Sequence, residues 1–235
     1  MTERSDVVFL LDVDNTLLDN DRIITDLDHH LAREFGEESR NRYWKTFEGL
    51  RSELGYADYL GALQRYRVET TNDPRLLLMS SFLVDYPFVA RLYPGAIEVV
   101  AHLQRWGLTV ILSDGDVVFQ PRKIQRSGLW NAVDGRVLIY VHKEQMLHEV
   151  ERRYPARHYV MVDDKLRILG AMKHSWGNHL TTVFPRQGHY ALDPGNIAAY
   201  PPADLTIDRI GALATMDSSA LLGAAGNPIA EQEKP

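Results

Sequence analysis

Two acidic segments of the sequence each follow directly after an apolar run. Asp12-Val13-Asp14-Asn15-Thr16 comes after Val7 to Leu11, and Asp163-Asp164 comes after Tyr159 to Val162. If both runs form strands of a parallel sheet, up to four carboxylates converge on one crevice outside the carboxyl ends of the strands. Such like charges repel and raise one another's pKa values, so they need a cation. Carboxylate and carbonyl oxygens suit a hard dication, and Mg²⁺ suits this set best.

Two further apolar runs end in residues that can bind a phosphoryl group. Ser113-Asp114-Gly115 follows Leu108 to Leu112, and His142-Lys143 follows Val137 to Val141. A serine hydroxyl and a lysine facing the same ion would complete a pocket for a phosphoryl group. Any one of these polar residues alone is more simply a turn or helix-cap residue, because Asp, Ser and Asn are favoured there. Their joint occurrence at four strand ends favours a site.

The apolar runs themselves predict the fold that must position these side chains. Continuous rather than alternating hydrophobicity is typical of strands covered on both faces, as in a parallel sheet. Helical patterns separate the runs, so we predict an α/β fold with a doubly wound, mainly parallel, Rossmann-like sheet. A weak last strand is predicted at Asp204 to Ile207. The five clear runs are Val7 to Leu11, Leu108 to Leu112, Val137 to Val141, Tyr159 to Val162 and Leu180 to Phe184.

The stretch from residue 19 to residue 90 breaks this alternation. It has no convincing strand and several amphipathic helical patterns, which predicts an inserted α-helical cap domain. Residues 1-18 and 91-215 then form the α/β core catalytic domain, and residues 216-235 are expected to be a disordered tail. The predicted cap helices are Thr25 to Phe35, Glu38 to Leu54, Ala57 to Glu69 and Pro74 to Val84.

Composition excludes several classes of function. The chain has 235 residues, of which 25% are charged, and a formal net charge of −6 at pH 7. This charge gives no long-range attraction for nucleic acid or anionic membranes, so a small molecule is the expected partner. The absence of cysteine excludes disulfides, thiolate metal sites and cysteine nucleophiles. No stretch approaches the ~18 apolar residues of a membrane span, so we expect a cytoplasmic location. The oligomeric state is left open.

The four polar segments, in this order, resemble the four motifs of the haloacid dehalogenase-like hydrolase superfamily. The resemblance covers roughly residues 6 to 210. A helical insert between the first and second motifs is similar to the subfamilies that carry a helical cap there. The resemblance implies an enzyme, and the phosphatase type within the superfamily.

The resemblance also implies a role for each residue of the reaction centre. Asp12 would attack phosphorus and form an aspartyl phosphate. Asp14 would protonate the leaving oxygen and then deprotonate the water that releases phosphate. Ser113 would hydrogen-bond a phosphoryl oxygen within a phosphate-binding segment that includes Asp114 and Gly115.

A lysine and a metal ion complete the implied site. Lys143 would neutralise charge on Asp12 and on the phosphoryl group. Mg²⁺ would be held by the Asp12 carboxylate, the Asp14 main-chain carbonyl and Asp164, with Asp163 binding directly or through water.

Three departures from the family pattern affect this interpretation. Asp114 stands where asparagine is common, so a negative charge lies near the phosphate. Glu144 follows Lys143 in place of the frequent proline, and Lys123 is a weaker candidate for the same role. No acid stands four positions after Asp164, so the adjacent acidic pair must do the whole of the metal binding.

Several alternatives remain open at the level of sequence. Dehalogenases of the superfamily also use the first aspartate as nucleophile but generally lack an acid two positions later, so Asp14 favours phosphate chemistry. A phosphomutase differs mainly in whether water or a sugar attacks the aspartyl phosphate, and a non-catalytic binding module would keep only the Mg²⁺ pocket. The cap residues Arg42, Trp44, Arg51 and Tyr56 could contact the leaving group, although aromatic residues at helical spacing are more often core.

Overall fold

The computed structural model describes residues 4–69 and 74–223. Within them, six strands form one sheet in the order β3-β2-β1-β4-β5-β6, and every neighbouring pair is parallel. The predicted α/β fold with a doubly wound sheet is confirmed, including its weak last strand. The strands are β1 (Ser5–Leu11), β2 (Leu108–Asp114), β3 (Val137–Tyr140), β4 (Ala156–Val162), β5 (Leu180–Pro185) and β6 (Leu205–Ile207).

Strand β1 lies inside the sheet and is covered on both faces. Val8 and Leu10 belong to the hydrophobic core on one face, and Phe9 and Leu11 belong to the core on the other. Because successive side chains of a strand point to opposite faces, a strand between two cores must be apolar at every position. The strand order reverses between β1 and β4, and the carboxyl ends at such a switch point form the crevice where ligands bind.

A helical insert leaves the sheet after β1 and returns before β2, as predicted. The exit and return segments lie side by side, because Leu18 and Leu92 form an isolated antiparallel bridge and the N–H of Tyr93 donates to the carbonyl of Leu17 at 3.0 Å. The exact domain boundaries remain a prediction. The helices of the insert are α1 (Asn20–Phe35), α2 (Glu37–Leu54), α3 (Tyr59–Glu69) and α4 (Leu76–Asp85), followed by a 3₁₀ helix at Phe88–Arg91.

The remaining helices belong to the sheet layer or follow it. Short 3₁₀ helices lie at Lys143–Gln145, Gly177–His179 and Ile210–Thr215. The α-helices are α5 (Ala96–Leu103), α6 (Phe119–Arg126), α7 (Leu129–Ala132), α8 (Leu147–Arg153), α9 (Leu166–Trp176), α10 (Gly188–Leu192), α11 (Pro194–Ala199) and α12 (Ser218–Gly223).

The prediction of a disordered tail from residue 216 is wrong for its first residues. Residues Ser218–Gly223 form α12, and Leu221 is fully buried against the core. Burying one leucine contributes roughly 1.5–3 kcal/mol, which favours docking of this short helix against the core. Residues 224–235 lie outside the described residues. In the part of the chain that the structure describes, no helix is long and apolar enough to cross a membrane.

Candidate active site

The two predicted acidic segments meet at the carboxyl ends of β1 and β4. The N–H of Asp12 donates to the carbonyl of Val162 at 3.0 Å, and the N–H of Asp163 donates to the carbonyl of Val183 at 3.2 Å. The strand hydrogen bonds therefore continue one residue past each strand and fix the backbone of both acids. Asp12, Asp163 and Asp164 each offer a carboxylate oxygen, and these oxygens lie within 4.8 Å of one another.

The three carboxylates are buried and incompletely paired. Asp12 is 4% exposed, Asp163 0% and Asp164 1%. Asp12 Oδ2 and both carboxylate oxygens of Asp164 have no hydrogen-bond partner among the described residues. Burial raises the pKa of Asp163 to about 6 and raises the pKa of Asp164 well above its usual value. Buried polar oxygens without partners are costly, so this group is suited to a ligand that brings positive charge.

Two lysines supply part of that charge. The ammonium of Lys143, which is 1% exposed, lies 2.5 Å from Asp12 Oδ1 and 2.7 Å from Asp163 Oδ2. Burial acts to lower the pKa of Lys143, but the charges of Asp12 and Asp163 outweigh burial and raise it. Burial likewise acts to lower the pKa of Lys165, and the charges of Asp164, Asp12 and Asp163 raise it. Two cations facing three carboxylates leave an excess of negative charge.

The residues at this position fit a bound Mg²⁺. All three acids are hard oxygen donors, and Mg²⁺ is usually held by one or two carboxylates together with water and substrate oxygens. The atoms that need a partner, Asp12 Oδ2 and the two oxygens of Asp164, are of the type that such an ion would satisfy. The predicted contribution of the Asp14 main-chain carbonyl remains a prediction.

The serine segment lies at the end of β2, and its residues have partners within the site. Ser113 is 1% exposed, and its Oγ accepts a hydrogen bond from Gln120 Nε2 at 2.9 Å. Asp114 Oδ1 accepts the N–H of Lys143 at 2.8 Å, so this carboxylate fixes the backbone that carries the lysine. Burial raises the pKa of Asp114. Asp114 therefore has a structural role besides any contact with substrate.

Asp14 lies two residues after Asp12 and faces a different lysine. Its Oδ1 lies 2.6 Å from Lys123 Nζ, and its side chain is 25% exposed. Helix α6 directs Lys123 toward Asp14, whereas Lys143 contacts Asp12. Lys143, and not the weaker candidate Lys123, is therefore the lysine that contacts Asp12.

A cavity of about 780 Å³ adjoins the buried acids and extends to the insert. Asp14, Asp114 and Gly115 line it, so three of the predicted residues face the space that a substrate would fill. The other predicted residues lie deeper and are each at most 4% exposed, namely Asp12, Ser113, Lys143, Asp163 and Asp164.

Helices of the insert form the opposite side of this cavity. Trp44, Arg51 and Tyr56, three of the four cap residues considered from the sequence, line it, and Arg42 is not part of the lining. The guanidinium of Arg51 donates to the hydroxyl of Tyr190 on α10, which joins the insert to the sheet layer across the cavity.

Three residues outside the predicted catalytic set take part in the site, and only one of them, Lys123, was considered from the sequence, as a weaker candidate for the role of Lys143. Gln120 and Lys123 contact Ser113 and Asp14, and Lys165 lines the cavity beside the acids. Lys165 had a signal, because it directly follows the acidic pair. For Gln120 and Lys123 the only signal in the sequence is their spacing of three residues, which places both on one face of a helix.

Comparison with known proteins supports the resemblance to the family. A model of the family described as haloacid dehalogenase-like hydrolase matches residues 7–175. A solved structure of a haloacid dehalogenase-like hydrolase from Burkholderia xenovorans LB400 is 68% identical, covers 91% of this chain and 99% of that chain, and superposes with a TM-score of 0.87. No curated protein matches the chain.

Two more distant structures share the fold alone. The HAD-hydrolase YfnB from Bacillus subtilis, bound to magnesium, is 17% identical with a TM-score of 0.61 and covers 94% of this chain and 99% of that chain. L-2-haloacid dehalogenase from Xanthobacter autotrophicus, with chloropropionic acid covalently bound, is 18% identical with a TM-score of 0.57 and covers 88% of this chain and 96% of that chain. The family match over most of the chain and the 68% identical relative lead to one conclusion: the chain belongs to the haloacid dehalogenase-like hydrolase family.

Proposed function

We propose that this chain is a magnesium-dependent phosphomonoester hydrolase that acts on a small phosphorylated metabolite through an aspartyl phosphate on Asp12. One observation carries the proposal. Three buried carboxylates with unpartnered oxygens meet beside a buried lysine, and a fourth acid, Asp14, lines the adjoining cavity. A dianionic phosphoryl group needs this combination of cation sites, nucleophile and proton donor.

In the first half-reaction a carboxylate oxygen of Asp12 attacks phosphorus. The bond from phosphorus to the ester oxygen breaks, and its electron pair leaves with that oxygen. Asp14 in its acid form donates a proton to the departing oxygen, which leaves as an alcohol. Splitting hydrolysis into two displacements replaces one difficult step by two easier ones.

In the second half-reaction water attacks phosphorus and gives its proton to Asp14, now a carboxylate. The bond between phosphorus and the Asp12 oxygen breaks, which regenerates the Asp12 carboxylate and releases phosphate. Asp14 thus returns to its acid form, so one residue serves both steps.

The surrounding residues hold the phosphoryl group and balance its charge. Lys143, already 2.5 Å from Asp12, offsets the negative charge that the nucleophile and the phosphoryl oxygens bring together. The Ser113 hydroxyl donates to a phosphoryl oxygen. Asp12, Asp163 and Asp164 would hold Mg²⁺, which would supply a Lewis acid for the phosphoryl oxygens. The magnesium bound to the Bacillus subtilis relative supports this choice of ion.

Asp14 favours phosphate chemistry over dehalogenation. Halide is a stable leaving group and needs no proton, whereas an alkoxide leaves poorly unless it is protonated. An acid that lines the cavity two residues after the nucleophile therefore serves ester hydrolysis. Dehalogenation and phosphomutase activity are the alternatives that the experiment must separate.

The test is a substrate screen on the purified protein with and without Mg²⁺. We expect phosphate release from para-nitrophenyl phosphate or from members of a panel of phosphate esters, dependent on Mg²⁺ and abolished in Asp12→Asn. Asp6→Asn, a surface acid on the same strand whose side chain is 82% exposed, is the matched control and should retain activity. Halide release from 2-chloropropionate without phosphate release would overturn the proposal in favour of a dehalogenase. Phosphoryl transfer to a sugar phosphate in place of water would identify a mutase.

A further inference from the structure

Helix α6 presents two polar side chains toward the reaction centre, although it lies outside the four motifs. Gln120 and Lys123 are three residues apart and therefore lie on one face of the helix. Gln120 is 3% exposed and Lys123 is 1% exposed. Polar side chains this deeply buried need partners, and the partners here are residues of the proposed mechanism.

Lys123 holds Asp14 and the start of the insert together. Its ammonium donates to Asp14 Oδ1 at 2.6 Å and to Asn20 Oδ1 at 3.0 Å, and it lies 5.0 Å from the centre of the Phe119 ring. Asn20 is the first residue of α1. The lysine thus lies where the reaction centre and the first helix of the insert meet.

A buried lysine is not explained by the stability of the fold. Removing a charge from water is costly, and replacing a buried ion pair by apolar residues of similar size is often neutral or stabilising. An apolar residue at position 123 could pack against Phe119 equally well, so what Lys123 adds is its polar contacts with Asp14 and Asn20.

Gln120 links Asp14 to Ser113. Its Nε2 donates to Ser113 Oγ at 2.9 Å and lies 3.4 Å from Asp14 Oδ2. Because the amide nitrogen occupies an acceptor position of the serine oxygen, the serine proton must point elsewhere. The hydroxyl has one long donor contact, 3.4 Å to the carbonyl oxygen of Asp114, and a phosphoryl oxygen can replace this weak acceptor when substrate binds.

We propose that Lys123 and Gln120 are positioning residues, which act through Asp14 and Ser113 respectively, and this inference rests on the proposed function. Lys123 and Gln120 each reach one oxygen of the Asp14 carboxylate and so fix its plane relative to the leaving oxygen. Proton transfer requires the acid within hydrogen-bond reach of the atom that it protonates, so a displaced Asp14 loses this ability.

The inference predicts an effect that depends on the leaving group. Nitrophenolate leaves without much help from an acid, whereas the alkoxide of glycerol 2-phosphate requires protonation. Loss of Asp14 positioning therefore lowers kcat/KM for the alkyl ester more than for the nitrophenyl ester, because kcat/KM reports the steps through departure of the alcohol. A residue that only supports the fold would lower both values by the same factor.

The experiment measures kcat/KM for both esters at saturating Mg²⁺ in wild type, Lys123→Met, Lys123→Arg and the surface control Lys45→Met. We expect Lys123→Met to lose about 10²–10⁴-fold on glycerol 2-phosphate, the usual contribution of a positioned acid, and clearly less on para-nitrophenyl phosphate. Lys123→Arg keeps the charge, so the ratio of its kcat/KM values on the two esters should stay closer to that of wild type. Lys45→Met should match wild type on both esters.

A double-mutant cycle tests whether Lys123 acts through Asp14. In the Asp14→Asn background, Lys123→Met should cause little further loss, because the group that it positions is already gone. Additive losses in the double variant, or equal losses on the two esters in Lys123→Met, would overturn the role of Lys123.

Gln120→Met provides a second, uncharged variant in case Lys123→Met does not fold. It should raise the inhibition constant for inorganic phosphate, with Gln125→Met on the exposed side of α6 as the matched control. An unchanged inhibition constant in Gln120→Met would overturn the role of Gln120.

If wild type hydrolyses neither ester, the proposed function fails and this inference fails with it. If wild type hydrolyses both esters and the variants do not discriminate, only this inference fails.

Discussion

Lys143 and Asp163 form an ion pair that is almost completely removed from solvent. The Nζ and Oδ2 atoms are 2.7 Å apart, and the side chains are 2% and 0% exposed. The two residues follow β3 and β4, which are separated in the sheet by β2 and β1. Lys143 therefore connects the segment after β3 with the acidic segments after β1 and β4.

Removing this lysine should destabilise the protein when no metal is present. In Lys143→Met the carboxylates of Asp12 and Asp163 lose their nearest cation, and breaking a buried pair typically costs about 3–5 kcal/mol. We expect the free energy of unfolding in EDTA, measured by urea denaturation, to fall by that amount. The surface substitution Lys45→Met should leave it within about 0.5 kcal/mol of wild type. A Lys143→Met variant as stable as wild type in EDTA would contradict the pairing.

Added Mg²⁺ should stabilise the wild-type protein through the three buried acids. A ligand that binds only the folded state adds RT ln(1 + [L]/Kd), or about 2.7 kcal/mol at a hundredfold excess over Kd. We expect the Tm to rise on titration with millimolar Mg²⁺ and to fall back with EDTA. Asp164→Asn, which weakens the acidic cluster, should show a much smaller rise, while Asp6→Asn should respond like wild type. No rise in wild type would argue against a metal site here.

Much of the fold was predictable because each strand and helix carries a local signal. The runs Val7 to Leu11 and Leu180 to Phe184, the second of which includes two threonines, are buried on both faces, as a parallel strand covered on both sides requires. Helix α2 was predicted as Glu38 to Leu54 and is observed as Glu37–Leu54, because Gly36 and Gly55 mark its ends.

The contacts of Lys123 could not be predicted in the same way. Its position on α6 indicates a helix face, but which residue that face meets depends on how the helix docks against the end of β1 and the start of α1. The pairing with Asp14 joins positions 109 residues apart in the chain. Local sequence patterns do not show which residues so far apart come into contact. Leu221 was missed for the related reason that tertiary burial overrides a weak local pattern.

Asp14→Asn should slow both half-reactions of the proposed mechanism. Loss of the acid slows departure of poor leaving groups, and loss of the base slows attack of water on the aspartyl phosphate, each typically by about 10²–10⁴-fold. With para-nitrophenyl phosphate, whose leaving group needs little protonation, we expect a burst of nitrophenol followed by slow turnover. Mass spectrometry of the quenched variant should detect phosphate on Asp12. Undiminished steady-state turnover would refute the role of Asp14.

Asp26 should make the stability of the protein depend on pH. Burial acts to raise the pKa of Asp26, but hydrogen bonds from Tyr86 and Arg91 outweigh burial and lower it. A pKa lowered on folding means that the ionised acid stabilises the folded state, and this contribution is lost as the pH falls below about 4. Asp26→Asn should therefore lower the free energy of unfolding by about 1–2 kcal/mol at pH 7 and by less at pH 3.

Denaturation by urea at a series of pH values measures this difference. Glu38→Gln on α2, whose side chain is 91% exposed, serves as the control and should track wild type throughout. If the free energies of unfolding of wild type and Asp26→Asn differ by the same amount from pH 7 to pH 3, the contact with Arg91 does not favour the ionised form of Asp26. Because Arg91 lies in the 3₁₀ helix that precedes β2 and Asp26 lies on α1, the pair also joins the two ends of the insert.

Gly115→Ala should disturb the site through packing and through the backbone, whose φ of +158° at this position suits glycine. A Cβ atom at this position would lie 2.6 Å from the Cβ and 2.7 Å from the Cγ of Gln120, and atoms so close to the backbone cannot move without shifting the helix. Displacing Gln120 withdraws its amide from Ser113 and Asp14, so we expect kcat/KM to fall and the free energy of unfolding to drop by about 1–3 kcal/mol. Gly49→Ala is the matched control, because no heavy atom lies within 4 Å of the added methyl group and alanine suits a helix interior. Steady-state kinetics and urea denaturation of both variants decide the question, since wild-type activity in Gly115→Ala would mean that Gln120 does not need its observed position.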